Sequence, residues 1–170
     1  MNLSVFLLAI ITLLISRPCV ASDFSVSGHG ANLRITTAGE QHRVIMPKEV
    51  RVDMNDAVLL ARKQVGVHRF LLLFVTGPSR RGGNGMGHCG AGIESSIVWF
   101  KLDGWRISDY KFRLVESCWH NISLLKPISW QDETCVVNFW DFEDNNQEFT
   151  LSYDTRKPSD GFRLASKPFN

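Results

Sequence analysis

The stretch GPSRRGGNGMGHCGAGIES, residues 77 to 95, sets a cysteine against a histidine on a chain carrying seven glycines. His88-Cys89 is the pair with the clearest potential for chemistry. Cys89 would be a thiolate nucleophile, activated by His88 or by a histidine close in space, such as His68 or His120. Local geometry weighs against this. Neighbouring residues on an extended chain point to opposite faces, so His88 is badly placed to deprotonate Cys89. Cysteine nucleophiles also often sit at helix N-termini, whereas GAGIESSIVWF leads into a strand pattern. A disulfide fits better. SIVWFKL (96 to 102) and YKFRLVES (110 to 117) can pair as a hairpin, with Cys89 and Cys118 just outside its open end. Their bridge would close a loop of roughly 30 residues, typically contributing about 2 to 4 kcal/mol. Cys135, inside the apolar run CVV, reads as a buried free thiol.

Other chemistry is weaker. GMGHCG (85 to 90) matches G-x-G-x-x-G in letters, but no helix follows it. The five histidines (His29, His42, His68, His88 and His120) show no zinc-ligand spacing. Asp141, Glu143 and Asp144 in DFEDNN offer oxygens for calcium but lack a known loop spacing, and a solvated acidic turn is the better reading. No catalytic residue, cofactor or metal is expected.

The compartment decides how the cysteines are used. Residues 5 to 15, VFLLAIITLLI, have the length of a signal-peptide core, and Cys19-Val20-Ala21-Ser22 offers small residues for cleavage. A transmembrane helix would need about 20 apolar residues. The sequence therefore predicts a signal peptide over 1–22 and an exported protein, periplasmic or secreted, with no membrane anchor after cleavage. Losing Arg17 takes the formal charge from +2 to +1. That near-neutral balance argues against nucleic acid as a partner, which would favour a strongly basic face. In an oxidising compartment, three cysteines imply one disulfide and one cysteine left over.

The elements that must position these residues follow mostly from period-2 alternation. FSVSGHGANLRITT (24 to 37) reads as two strands about a Gly-His-Gly turn, and HRVIM (42 to 46) as a third. HRFLLLFVTG (68 to 77) is apolar on both faces and reads as a central strand. Further strands are expected at 96–102, 110–117, 122–126, 134–140, 147–153 and 161–165, joined by turn-rich segments. Helical spacing appears once, in DMNDAVLLARKQVG, predicting a short helix near 53–65. The expected fold is mainly β: one domain over 23–170, an antiparallel meander closed as a sandwich, barrel or propeller-like body.

Loop surface on a rigid β scaffold points to binding rather than catalysis. The segment Asp103 to Asp109 reads as the turn of a long hairpin, mixing Trp105 and Arg106 with the small polar pair Ser108-Asp109. With its export signal, size and β-rich plan, the chain resembles periplasmic immunity proteins that inhibit type VI secreted peptidoglycan amidases. The resemblance implies a protein partner, the toxin enzyme, and an inhibitor without enzymatic activity. It would place Ser108 and Asp109 as a plug in the toxin's Cys-His active site. Trp105 would serve as apolar anchor, with Arg106 beside it and the Arg80-Arg81 loop next in rank. The alternatives are an exported hydrolase using Cys89 with a histidine, and an inhibitor of lysozyme.

Overall fold

The computed structural model describes residues 24–50, 54–78, 92–144 and 147–168. A first sheet is a meander of β1 (Ser25–His29), β2 (Asn32–Thr37) and β3 (Glu40–Ile45). After a 3-10 turn at Lys48–Val50 the chain enters a second antiparallel sheet. Its strands are β4 (Asp56–Val65), β5 (His68–Pro78), β6 (Ile93–Asp103), β7 (Arg106–Ser117), β8 (Ile122–Leu124), β9 (Ser129–Gln131), β10 (Thr134–Asp141), β11 (Gln147–Asp154) and β12 (Arg163–Pro168). The order β12-β11-β10-β8-β7-β6-β5-β4, with β9 paired to β10, leaves the sheet open at β4 and β12. The expected mainly β, antiparallel meander is what the chain forms.

Two apolar clusters explain why β5 and β6 carry nearly unbroken hydrophobic runs. Leu71, Leu73, Val75, Val98, Phe100 and Leu102 face the three-stranded sheet and meet Leu33, Ile35 and Val44. The alternate residues Phe70, Leu72, Ile97 and Trp99 face the other way, onto Val137, Phe139, Leu151 and Tyr153 of β10 and β11. Strands covered on both faces lose the polar half of their alternation. Trp99 also donates its indole N–H to the Pro158 carbonyl (3.0 Å), tying the 3-10 turn at Pro158–Asp160 to the middle of β6.

The helix predicted near 53–65 is absent: residues 51–53 lie outside the description and Asp56–Val65 is strand β4. The cause is a β-bulge. Leu59 pairs with Leu73 and Ala61 with Leu72, so Leu60 is an extra residue. Ala57 and Leu59 pack into one cluster, while Leu60 and Ala61 both pack into the other. Two successive apolar residues on one side break the period of 2 and imitate helical spacing. Gly66, expected as a helix C-cap, sits instead in the two-residue β4–β5 turn with φ 58.

The hairpin turn around Trp105 is also shorter than expected. Asp103 pairs with Arg106, leaving only Gly104-Trp105 as the loop, and Gly104 supplies the positive φ (60) such a turn requires. Ser108 and Asp109 therefore belong to β7, not to a turn. Lys101 pairs with Asp109 and Leu102 with Ile107, which makes Ser108 the extra residue of a second bulge. Because His68 at the start of β5 pairs with Asp103 at the end of β6, the turns 66–67 and 104–105 lie at the same end of the sheet. Among the described residues no helix is long and apolar enough to cross a membrane.

Candidate functional site

The end of the sheet that carries Gly104-Trp105 brings together side chains from β3, β4, β5 and the β6–β7 turn. Trp105 does not stand free of the body. It is half-buried, packs against the cluster under the three-stranded sheet, and stacks flat on His42 of β3 (ring centroids 3.8 Å apart, planes at 12°). Arg69 of β5 lies over the same indole, 4.5 Å from its centroid, and donates to the Gly104 carbonyl (3.0 Å). The turn is thereby fixed by an aromatic stack, a cation–π contact and a hydrogen bond to its own backbone.

Clefts lie on either hand of Trp105. One, of about 350 Å³, is lined by Arg62, Lys63, Gln64 and Arg69 with the rings of Phe24 and Trp105. Arg62 rests its guanidinium 4.4 Å from the Phe24 centroid, much as Arg69 rests on Trp105. The other, of about 440 Å³, is lined by Trp105, Arg106, Ile107 and Tyr110 with Arg43 and Ile45 of β3. There the Tyr110 hydroxyl donates to Glu49 (2.9 Å), and holding its proton against that carboxylate pushes the phenol above its usual range.

Arg106 is exposed on the rim of the second cleft. Ser108 and Asp109 are exposed, but both are engaged locally. The Ser108 hydroxyl donates to the Lys101 carbonyl (3.3 Å) across the bulge, and an Asp109 oxygen accepts from the Tyr110 amide (2.8 Å). Asp103, at the end of β6, hydrogen-bonds His68, and that bond, helped by the Ser108 hydroxyl, holds its carboxyl below the usual value. The four residues expected on one projecting loop are thus divided: Trp105 and Arg106 at the turn, Ser108 and Asp109 in the strand behind it. Arg80, Arg81, His88 and Cys89 lie outside the described residues.

The remaining chemical candidates resolve into structure. Cys135 is fully buried and free, as expected, and burial pushes its thiol up to about 11. Such a thiol is not a nucleophile near neutral pH. Cys118 is held as half of a disulfide rather than as a thiol; Cys89, its expected partner, lies beyond the description. Asp141 spends both oxygens internally, accepting from Arg113 (2.8 Å) and from the amides of Glu143 and Asp144 (3.1 Å each). These bonds give Asp141 a structural part in the turn, in keeping with the reading of DFEDNN as a solvated acidic turn. Among the described residues no group of three or more His, Cys, Asp or Glu converges to hold a metal.

Sequence reasoning found Trp105 and Arg106 but not Phe24, His42, Arg62, Lys63 or Arg69. These come from β3, β4, β5 and the residue before β1, so only the pairing of the strands reveals their convergence. Comparison with known proteins found no matching family model, no similar curated protein and no similar solved structure.

Proposed function

We propose that this chain is an exported binding protein of the immunity or inhibitor type, which blocks a peptidoglycan-degrading enzyme, most simply an amidase, by covering its active site. The observation that carries the reading is the turn end: Trp105, fixed between two clefts, beside the exposed Arg106. Pre-organised aromatic and arginine side chains are the residue types that dominate tight interfaces, and their fixation lowers the entropic cost of docking. The short turn and its packed indole favour a broad face centred on Trp105 over a narrow inserted plug. Ser108 and Asp109 then lie behind the contact rather than at its tip. The proposal retains the Cys89–Cys118 disulfide, which would anchor the glycine-rich segment and Arg80-Arg81 near the open end of the β6–β7 hairpin.

The test is inhibition. The purified protein is added in excess to the peptidoglycan hydrolase encoded beside its gene, and release of cell-wall fragments is followed. The expected outcome is loss of hydrolysis, relieved when Trp105 and Arg106 are both replaced by alanine. Removing two such anchors should cost about 2 kcal/mol or more, roughly thirtyfold in affinity. Undiminished hydrolysis at several-fold excess of the protein defeats the reading.

A further inference from the structure

We infer that the cleft between Phe24 and Trp105 is a carboxylate-binding site that receives an acidic segment of a protein partner; the inference rests on the proposed binding role and names the chemistry it recognises. Arg62, Lys63 and Arg69 bring three cations to one cleft of about 350 Å³, and among the described residues no carboxylate lines it. Among the described residues none of the three has a carboxylate within ion-pair distance, although pairs form readily elsewhere: Arg113 with Asp141, Arg156 with Asp154, Arg163 with Asp160 and Lys167 with Glu148. Two described acidic groups of other strands are paired with histidines, Asp103 of β6 with His68 and Glu40 of β3 with His42.

The rings set the orientation. Phe24 covers the guanidinium of Arg62 and Trp105 that of Arg69. A guanidinium with a covered face still offers its N–H edges, which is the geometry that meets a carboxylate in two parallel hydrogen bonds. Gln64 and Thr37 add neutral hydrogen-bonding groups to the same walls. A concave surface of one sign also focuses its field and draws in the opposite charge. Edge protection offers a rival account, since β4 is an edge strand and charged residues keep such edges from pairing. It accounts for Arg62 and Lys63. It does not cover Arg69, which is on the interior strand β5, is held by Trp105 and the Gly104 carbonyl, and brings a third cation to the same walls.

The experiment titrates the isotopically labelled protein with three probes: a blocked Asp/Glu tetrapeptide, its Asn/Gln counterpart, and inorganic phosphate. The acidic peptide should shift the arginine Nε–H signals of Arg62 and Arg69 and the Trp105 indole N–H. Its affinity should fall about tenfold or more between low and high salt, because partly exposed charges are screened. The double variant R62Q/R69Q should bind about tenfold more weakly with its amide spectrum otherwise intact, and R156Q, at a site away from the cleft, should bind like the parent. Equal binding of the neutral peptide, shifts mapping elsewhere, or parental affinity in R62Q/R69Q overturns the inference. Binding of phosphate without the acidic peptide overturns the protein source of the anion. The two readings separate cleanly. Hydrolase inhibition that survives R62Q/R69Q removes this cleft and keeps the inhibitor, whereas peptide binding without inhibition of the hydrolase keeps the cleft and removes the inhibitor.

Discussion

Two clefts of this protein are built around arginines laid over aromatic rings, and they differ in how the charge is balanced. In the cleft between β7 and the β10–β11 connection, Arg113 lies over Phe139 and Phe149 (5.5 and 5.0 Å to the centroids) and pairs with Asp141, whose side chain is only 8% exposed. His120 and Glu143 form a second pair on the same wall (3.0 Å). At the Trp105 end, Arg62 and Arg69 use the same ring contact with no carboxylate opposite among the described residues. The difference teaches what each arrangement is for. A neutralised arginine over a buried ring pair closes the fold. On the inference above, arginines held in shape but left unneutralised keep their charge for a partner.

The strongest way to break this contrast is Arg113→Ala. It strands a nearly buried carboxylate and uncovers the Phe139–Phe149 stack. Breaking a buried pair costs about 3–5 kcal/mol, and the partial exposure of Arg113 and the two amides still bonded to Asp141 bring the expected loss to roughly 2–3 kcal/mol. Urea unfolding would measure it; a loss below 1 kcal/mol would mean the pair is decorative. Next in size is Trp105→Ala, which removes the stack on His42 and the ring beneath Arg69, for an expected loss of about 1–2 kcal/mol. An unchanged unfolding midpoint would show the turn to be independent of the body. Smaller still is R62Q/R69Q: exposed cation–π contacts contribute about 0.5–1 kcal/mol each, and relief of repulsion with Lys63 offsets part of that. Stability should drop by less than about 1 kcal/mol, and added salt should stabilise the parent more than the variant.

The same physical device explains most of what the sequence hid. Alternation was legible wherever strands were regular: β1 and β2 about their glycine-containing turn, β5 with apolar residues on both faces, β10 and β11 as a matched pair. It failed at two bulges. Leu60 put two apolar neighbours on one side and read as a helix; Ser108 broke the pattern of β7 and read as part of a turn. Strand β9, three exposed residues around Trp130, carried no apolar signal at all. Of the candidate site, Trp105 and Arg106 were legible because a two-residue turn exposes its own composition. The cations of β4 and β5 were not, because their convergence depends on the pairing of Gln64 with Arg69 and His68 with Asp103.

A fourth arginine completes the comparison and gives the smallest effect. Arg156 is neutralised by Asp154 through two hydrogen bonds (2.9 and 3.0 Å), but among the described residues it stacks on no ring, and it is 63% exposed. The Arg156 side-chain bonds, with the Arg156 backbone amide added, pull the Asp154 carboxyl down to about 2 from an ordinary 3.8. Its folded value is depressed, so whatever stability the pair contributes is present above the unfolded value near 3.8 and fades as pH falls through about 2. An exposed pair is well screened, so that contribution should be hard to detect in unfolding curves. The titration itself should be plain. Followed by the carboxyl carbon shift, Asp154 should have its midpoint near 2 in the parent and move back toward 3.8 in Arg156→Ala, stopping short because the amide at 156 still donates to it. Global stability at neutral pH should stay unchanged within the precision of unfolding curves, as for most surface substitutions. An ordinary midpoint in the parent would show that the paired geometry is not held in solution. A large stability loss would show that charge neutralisation alone, without a ring or burial, is enough to close the fold, which would erase the distinction between the two clefts from the other side.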